Sequence, residues 1–180
     1  DHNLKIEDDL GRRDFTINAI ARNVATGEIV DPFSGQEDIQ ARLIRITFPN
    51  SFVDDPLRML RAMQFAARFN FKIEPKTYAA ICESVSLIKS VSAERIAEEL
   101  NKLLVKADKP SVGLILMQRT GMLSHLIPEL ERTVGVDQPG PFHAYPVFEH
   151  SIFTVDAAPR SLTVRMAALF HDVAKPQAKR

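Results

Sequence analysis

The spacing of hydrophobic and polar positions changes character near residue 55. Upstream, apolar and β-branched residues come in short runs divided by turn formers. Phe15 to Asn23 forms one such run, Thr26-Gly27 is a turn signal, and Glu28 to Asp31 resumes the extended pattern, so a β-hairpin is predicted. Pro32 and Gly35 interrupt it. Ser34, with Glu37 at the third position beyond it, predicts a capped short helix reaching Arg42. Alternation through Leu43 to Thr47 predicts another strand. Downstream the period becomes helical. Asp54 or Asp55 can cap a helix with Pro56 in its first turn, ending near Asn70. Glu74-Pro75 opens a helix to about Val85. Ser92 opens another, with Ile96, Leu100, Leu103 and Leu104 on one face. Further helices are predicted over Ser111 to Thr120, stopped by Gly121, over Ser124 to Glu131, Glu149 to about Ala157, and Leu162 to Val173. Residues 133–147 hold Gly135, Pro139, Gly140, Pro141 and Pro146 and read as a loop or linker. The expected fold class is α+β, mainly α, with a small sheet-containing piece followed by a helical array. Phe65, Phe69, Phe71, Ile81, Leu87 and Ile88 are expected in the core of that array.

Composition narrows this little. Lys+Arg and Asp+Glu both number 23 in 180 residues, giving zero net charge. A generic nucleic-acid binder carries a basic excess, so contact with RNA would need a local patch. Cys82 is the single cysteine, which excludes an intrachain disulfide. It is expected to pack on an apolar helix face in a reducing compartment. The first residues show no apolar leader core and no apolar stretch approaches a membrane span. The expectation is a cytoplasmic protein without membrane contact.

Three charged clusters carry candidate chemistry. In Asp54-Asp55-Pro56-Leu57-Arg58, helical spacing would set Asp54 and Asp55 on one face with Arg58, continued by Arg61 and Arg68. Cytosine and adenine each present an amino donor beside a ring-nitrogen acceptor. A carboxylate and a guanidinium held together can pair with either base. Uracil and guanine reverse the pattern and leave buried polar groups unpaired. In Arg12-Arg13-Asp14-Phe15-Thr16-Ile17-Asn18, the arginines suit triphosphate oxygens, Asp14 a ribose hydroxyl, and Asn18 the sugar or the loop. Asp31-Pro32-Phe33-Ser34-Gly35 with Asp38 resembles a hinge motif of RNA nucleotidyltransferases, which implies that Pro32 and Gly35 set the backbone and that Asp31 or Asp38 holds a neighbouring arginine.

Taken in this order, the clusters resemble the bacterial tRNA nucleotidyltransferase/poly(A) polymerase family, and the resemblance spans nearly the whole chain. It implies a remnant of a nucleotidyltransferase sheet followed by a helical neck and body. The implied domains are residues 1–50, the C-terminal part of the head; 51–132, the helical neck with RNA binding and base recognition; and 133–180, a linker and the start of an HD-like helical domain. The implied activity is template-independent addition of C and A from CTP and ATP to a tRNA 3′ end. The alternatives are a poly(A) polymerase or A-adding enzyme, and a metal-dependent HD phosphohydrolase or a non-catalytic RNA- or nucleotide-binding module. The resemblance makes Arg12, Arg13, Asp14, Asn18, Asp54, Asp55, Arg58 and Arg61 the nucleotide site. Asp54 stands where the family usually has Glu. The family binds two Mg²⁺ ions on an Asp-x-Asp strand. No such pair precedes Arg12, so the catalytic carboxylates are expected upstream and the chain is expected to be an inactive fragment. Arg95, in Ser92-Ala93-Glu94-Arg95-Ile96, is typical of the family's neck and is expected to be structural. Finally, His150 with His171-Asp172 and Lys175 resembles the start of an HD phosphohydrolase domain, implying a divalent transition metal on His150, His171 and Asp172. His143 is expected to be exposed and His125 structural.

Overall fold

The computed structural model describes residues 5–138 and 145–178; His143 lies outside them. The chain opens with α1 (Ile6–Gly11) and a 3-10 turn, Thr16–Asn18. Next come β1 (Ala21–Arg22) and β2 (Ile29–Val30), paired antiparallel with Ala21 opposite Val30. Helix α2 (Gly35–Ala41) leads to β3 (Leu43–Ile44), α3 (Ser51–Asp54), α4 (Leu57–Phe69) and β4 (Lys72–Ile73), which lies parallel to β3. The helical array follows: α5 (Pro75–Ser84), a 3-10 segment Val85–Ser90, α6 (Ala93–Lys106), α7 (Pro110–Arg119), α8 (Met122–Leu126) and α9 (Pro128–Glu131). It ends with α10 (Val147–Ala157), α11 (Leu162–Phe170) and α12 (Lys175–Ala178). This is the α+β, mainly helical class that the pattern predicts.

Helix α4 is the axis of the molecule. It buries Leu57, Met59, Leu60, Ala62, Met63, Gln64, Phe65, Ala66 and Ala67. A helix buried on so much of its circumference must be packed from several sides, and α6, α7, β3 and β4 all contact it. Phe15 of the head is fully buried and meets Phe65 edge-on, with ring centroids 5.8 Å apart. Head and helices therefore share one core. The last helices are tied on by polar groups. Asp156 of α10 accepts from the backbone N–H of Ser111 at 2.9 Å and from its hydroxyl at 2.6 Å, capping α7 from outside. Arg165 of α11, 2% exposed, donates to the carbonyls of Leu104 and Ala107 at the end of α6.

Several local expectations are corrected. The hairpin is shorter than its pattern, because Phe15 to Asn18 turns as a 3-10 segment to bring Asn18 back onto Asp14. Ser34 does not cap α2. It sits at φ 55° with no side-chain cap bond, and Asp31 accepts from the N–H groups of Gly35 and Gln36 instead. Gly35 is required there, since a Cβ would lie 2.1 Å from the Thr16 carbonyl oxygen. The strand predicted to Thr47 stops at Ile44, leaving an isolated bridge between Phe15 and Ile46. Ser124 to Glu131 is split between α8 and α9 at Ile127, just before Pro128. Phe69 and Leu87 are exposed rather than core. Cys82 is also exposed, on the outer side of α5. Among the described residues, no helix is long and apolar enough to cross a membrane.

Glu74 provides a measurable link between sequence and fold. Its carboxylate caps α5, accepting from the N–H of Thr77 at 2.7 Å and from its hydroxyl at 2.9 Å, with Arg45 3.6 Å away. Burial by itself would raise its pKa, but these donors and Arg45 outweigh it and hold the group below its ordinary 4.5. A depressed carboxylate stabilises fully above its unfolded value and loses that contribution as pH falls through the folded one. Glu74→Ala is therefore expected to lower stability by about 0.5–2 kcal/mol at pH 7, with the difference from wild type shrinking below pH 4.5. Urea unfolding of both proteins across that range checks it; a pH-independent difference would contradict the cap.

Candidate functional site

The backbone breaks between α3 and α4, and that break builds the site. Asp54 ends α3, Asp55 is extended at φ −145°, and Pro56 starts the next helix. The continuous helix expected to put Asp54 and Arg58 on one face is therefore absent. Asp54 is exposed and lies apart from the other candidates. Asp55 is turned inward. Its Oδ1 accepts from the Leu57 N–H at 3.2 Å, capping α4, and its Oδ2 accepts from Arg95 Nη2 at 2.9 Å.

Seven of the eight residues proposed from sequence line one open cleft of about 530 Å³: Arg12, Arg13, Asp14, Asn18, Asp55, Arg58 and Arg61, with Phe65 as the eighth lining residue. Arg68 of α4 is exposed and stacks on Phe69, outside the cleft. Arg58 reaches from α4 to both sides. Its Nη1 donates to the Ser51 hydroxyl at 2.9 Å, its Nη2 donates to the Arg12 carbonyl at 2.7 Å, and it lies over the Phe48 ring. Arg13 pairs with Asp9 one turn back at 3.0 Å, and its carbonyl accepts from the Thr47 hydroxyl.

The most tightly held group is Arg61. Its Nε and Nη2 donate to Asp14 Oδ2 at 2.8 and 2.7 Å, and its Nη1 donates to Glu99 Oε1 at 3.4 Å. Burial disfavours the charge on Arg61, but Asp14 and Glu99 outweigh it, and the guanidinium pKa is raised. The other Asp14 oxygen accepts from the Phe15 N–H at 2.9 Å and from Asn18 Nδ2 at 3.0 Å. Both carboxylate oxygens thus face protein donors. Four arginines against two aspartates leave the cleft lining cationic, so anions with hydrogen-bonding edges fit it.

The structural role expected of Arg95 is met on α6, but its partner Asp55, and Glu99 altogether, escaped sequence reasoning. Arg95 holds Asp55, and Glu99, 3% exposed, holds Arg61. Their spacing puts them one turn apart on a single helix face, and that spacing was the available signal. Asp38 does hold an arginine, as expected of the hinge. It takes Arg45 Nε at 3.0 Å and accepts from the Thr16 hydroxyl at 2.7 Å.

A second cluster lies in the last helices. His150 Nε2 and His171 Nε2 are 3.2 Å apart, and Asp172 Oδ2 is 3.2 Å from the latter and 3.8 Å from the former. It is the one group among the described residues with three ligand atoms close enough to share an ion, all within 4.8 Å. Lys175 Nζ lies 2.6 Å from the same Asp172 oxygen. Burial would raise the Asp172 carboxyl, but Lys175 and the two imidazoles keep it below the usual carboxylate range.

Residues 1–45 match the model of the poly A polymerase head domain. Residues 70–133 match the model described as "Probable RNA and SrmB- binding site of polymerase A". The chain is 40% identical to the Multifunctional CCA protein of Xanthomonas campestris over 185 aligned residues, covering 97% of this chain and 45% of the relative. The Bacillus stearothermophilus CCA-adding enzyme, solved in complex with CTP, superimposes with a TM-score of 0.66 at 28% identity, covering 97% of this chain and 49% of that one. The Thermotoga maritima CCA-adding enzyme, complexed with tRNA, gives 0.66 at 26% identity over 97% and 48%. The fold and cleft define a nucleotidyltransferase-type head joined to a helical neck. The matched segments and relatives together place the chain in the tRNA nucleotidyltransferase/poly(A) polymerase family. It spans less than half the length of these relatives.

If Asp14 and Arg61 form one unit, their mutations must be non-additive. A double-mutant cycle of Asp14→Ala and Arg61→Ala is expected to give a coupling energy of about 1–3 kcal/mol in urea unfolding. A coupling near zero would make them independent surface charges.

Proposed function

We propose that this chain is the base- and sugar-recognising part of a template-independent RNA nucleotidyltransferase that adds C and A, from CTP and ATP, to a tRNA 3′ end. The observation that carries this reading is the convergence of Asp55, Arg58 and the Arg12–Asn18 segment on one cationic cleft. Similar CCA-adding enzymes solved in complex with CTP, ATP and tRNA support it.

In this reading Asp55 accepts from the exocyclic amino group shared by cytosine and adenine, and Arg58 donates to the neighbouring ring nitrogen. Each is already fixed by protein bonds, Asp55 by Arg95 and the Leu57 N–H, Arg58 by Ser51 and the Arg12 carbonyl. Fixed partners lose little entropy on binding and reject uracil and guanine by leaving their own polar groups unpaired. Arg12 and Arg13, both exposed at the rim, meet the phosphates. Asp14 is filled by Arg61, Asn18 and Phe15. Its role becomes orienting: it takes the Asn18 amide N–H and leaves Asn18 Oδ1 to accept a ribose hydroxyl. Asp54 takes no part in base reading.

The family's Mg²⁺ pair would activate the RNA hydroxyl and stabilise departing pyrophosphate. The carboxylates of this cleft do not fit such a pair. Asp14 and Asp55 are each committed to an arginine, and the cleft holds no three-ligand group among the described residues. The chain's own contribution is recognition.

A second reading concerns the His150–His171–Asp172 cluster. Two imidazole nitrogens and a carboxylate oxygen suit a divalent transition metal, as at the start of an HD-type phosphohydrolase domain. Bound there, a metal would polarise a phosphoryl oxygen or activate water; the ion must displace Lys175 from Asp172.

Two experiments test these readings. Direct binding of the four ribonucleoside triphosphates by calorimetry is expected to favour CTP and ATP over UTP and GTP by about tenfold or more. Arg58→Ala should bring all four within about threefold at unchanged helicity, and Asn18→Ala should reduce only the preference for ribose over deoxyribose. Equal binding of all four by the unmutated protein would end the base-recognition reading. For the metal, titration with Mn²⁺ or Ni²⁺ is expected to find a tight site lost in His171→Ala; identical titration of both proteins returns the cluster to a structural role.

A further inference from the structure

Glu99 has a feature that its support of Arg61 does not explain. The residue is buried and does not line the nucleotide cleft, whereas Arg61 and Phe65 do. Its Oε1 accepts from Arg61 at 3.4 Å and from Lys102 at 2.8 Å. Its Oε2 is buried and accepts no hydrogen bond among the described residues. A buried carboxylate oxygen without a donor costs free energy. An arrangement that brings a donor to it is favoured.

Two cations touch this carboxylate. Lys102 is already divided between Glu98 and Glu99 Oε1. Arg61 is unevenly placed between its two acceptors. Its Nε and Nη2 both donate to one oxygen, Asp14 Oδ2, at 2.8 and 2.7 Å. Its Nη1 reaches Glu99 only at 3.4 Å, beyond the about 2.7–2.9 Å usual for a charge-assisted pair. A guanidinium matches a carboxylate best through two parallel bonds to two oxygens. Asp14 cannot offer that pairing, because its Oδ1 is taken by the Phe15 N–H and by Asn18 Nδ2. Glu99 can, through its vacant Oε2. The Arg61 guanidinium is partly exposed and lies 5.1 Å over the Phe65 ring. It can slide across that flat face without losing the aromatic contact.

We infer that Arg61 passes from Asp14 onto Glu99 when a ribonucleotide enters the cleft, which makes Glu99 the positioning residue for a site that takes the vicinal diol of ribose. The movement frees Asp14 Oδ2 beside Asn18, whose Nδ2 donates to the other Asp14 oxygen at 3.0 Å. Asn18 Oδ1 and Asp14 Oδ2 then stand as neighbouring acceptors, and a vicinal diol presents two neighbouring hydroxyl donors. Asn18 takes the 2′-hydroxyl, as proposed above, and Asp14 takes the 3′-hydroxyl. The exchange loses no hydrogen bond. Two Arg61 bonds to Asp14 are replaced by two to Glu99, the orphaned Oε2 gains a donor, and Asp14 gains the hydroxyl. The inference rests on reading this cleft as the nucleotide site. It adds that Arg61 closes Asp14 while the cleft is empty and opens it as the sugar arrives.

The test compares ATP, 2′-deoxy-ATP and 3′-deoxy-ATP on the full chain by calorimetry, with the arginine Nε–H signals followed by NMR. In the unmutated protein, loss of either hydroxyl is expected to weaken binding about fivefold or more. ATP is expected to shift the Arg61 Nε–H signal, identified by its loss in Arg61→Lys, and 3′-deoxy-ATP to leave it where it lies in the free protein. Glu99→Gln keeps the size of the side chain but puts an amide donor against the guanidinium. In that variant ATP and 3′-deoxy-ATP are expected to bind within about twofold of each other. The preference for ATP over 2′-deoxy-ATP persists there, and ATP no longer moves the Arg61 signal. Equal weakening of all three nucleotides by Glu99→Gln would overturn the exchange and leave Glu99 a structural support. An Arg61 signal unmoved by bound ATP in the unmutated protein would overturn it without recourse to any Glu99 variant. Equal binding of ATP and UTP by the unmutated protein would instead overturn the nucleotide reading on which the exchange rests.

Discussion

One guanidinium joins the parts of this protein. Arg61 projects from α4 between Asp14 of the head and Glu99 of α6, donating to both. It lies over the Phe65 ring, which in turn packs on Phe15. A partly buried arginine must be matched by carboxylates, or its desolvation goes uncompensated. The matching here draws in one carboxylate from each side of the head–neck joint. Glu99 shares its Oε1 between Arg61 and Lys102, so the chain of charges continues along α6. Removing the arginine would leave Asp14 and Glu99 facing each other with little between them. The relative position of head and neck is therefore an electrostatic constraint as much as a packing one.

The same joint explains why the cleft residues are rigid. Asp55 and Arg58 flank the break between α3 and α4, a place where side chains would otherwise be free. Each is restrained from a different element: Asp55 by Arg95 of α6, and Arg58 by Ser51 of α3 and the Arg12 carbonyl of the head. Arg95 and Glu99 act one turn apart on α6, so a single helix face supports both Asp55 and Arg61. A small rotation of α6 would move both together. Discrimination between bases by hydrogen-bond pattern needs such restraint, because a carboxylate or guanidinium that can swing accepts more than one pattern.

Much of this was legible in the sequence, and the gaps have physical causes. The charged strings at Arg12 to Asn18 and Asp55 to Arg61 could be recognised because each is contiguous in sequence, although their partners lie 38 to 47 residues away. Helix positions were legible because Asn70, Glu74 and Gly121 act at the ends where a period predicts them. Asp54 was placed on one helix face with Arg58 because a helical spacing rule was carried across Pro56. The chain is instead extended at Asp55, which turns one acidic residue into the cleft and the other out to solvent. Phe69 and Leu87 were placed in the core by hydrophobicity alone. Phe69 instead takes the Arg68 guanidinium over its exposed face at 5.0 Å. The pairs Arg61–Glu99 and Arg95–Asp55 were not legible, since partners 38 and 40 residues apart meet only once the fold is made.

Zero net charge first argued against a generic nucleic-acid surface. The structure removes that objection by distribution rather than amount. Acidic residues are consumed in specific tasks: Asp31 and Glu74 cap helices, Asp38 and Glu99 hold arginines, and Asp156 caps α7 from α10. Cations gather at one place, the cleft lined by Arg12, Arg13, Arg58 and Arg61. A protein built this way avoids the indiscriminate attraction of a uniformly basic surface, because its long-range field is weak. Its attraction for a polyanion acts at short range, where cations stand beside aromatic rings and hydrogen-bonding partners. Whatever binds must therefore match shape and donor pattern as well as charge. That selectivity is what the proposed template-independent reading requires of the protein.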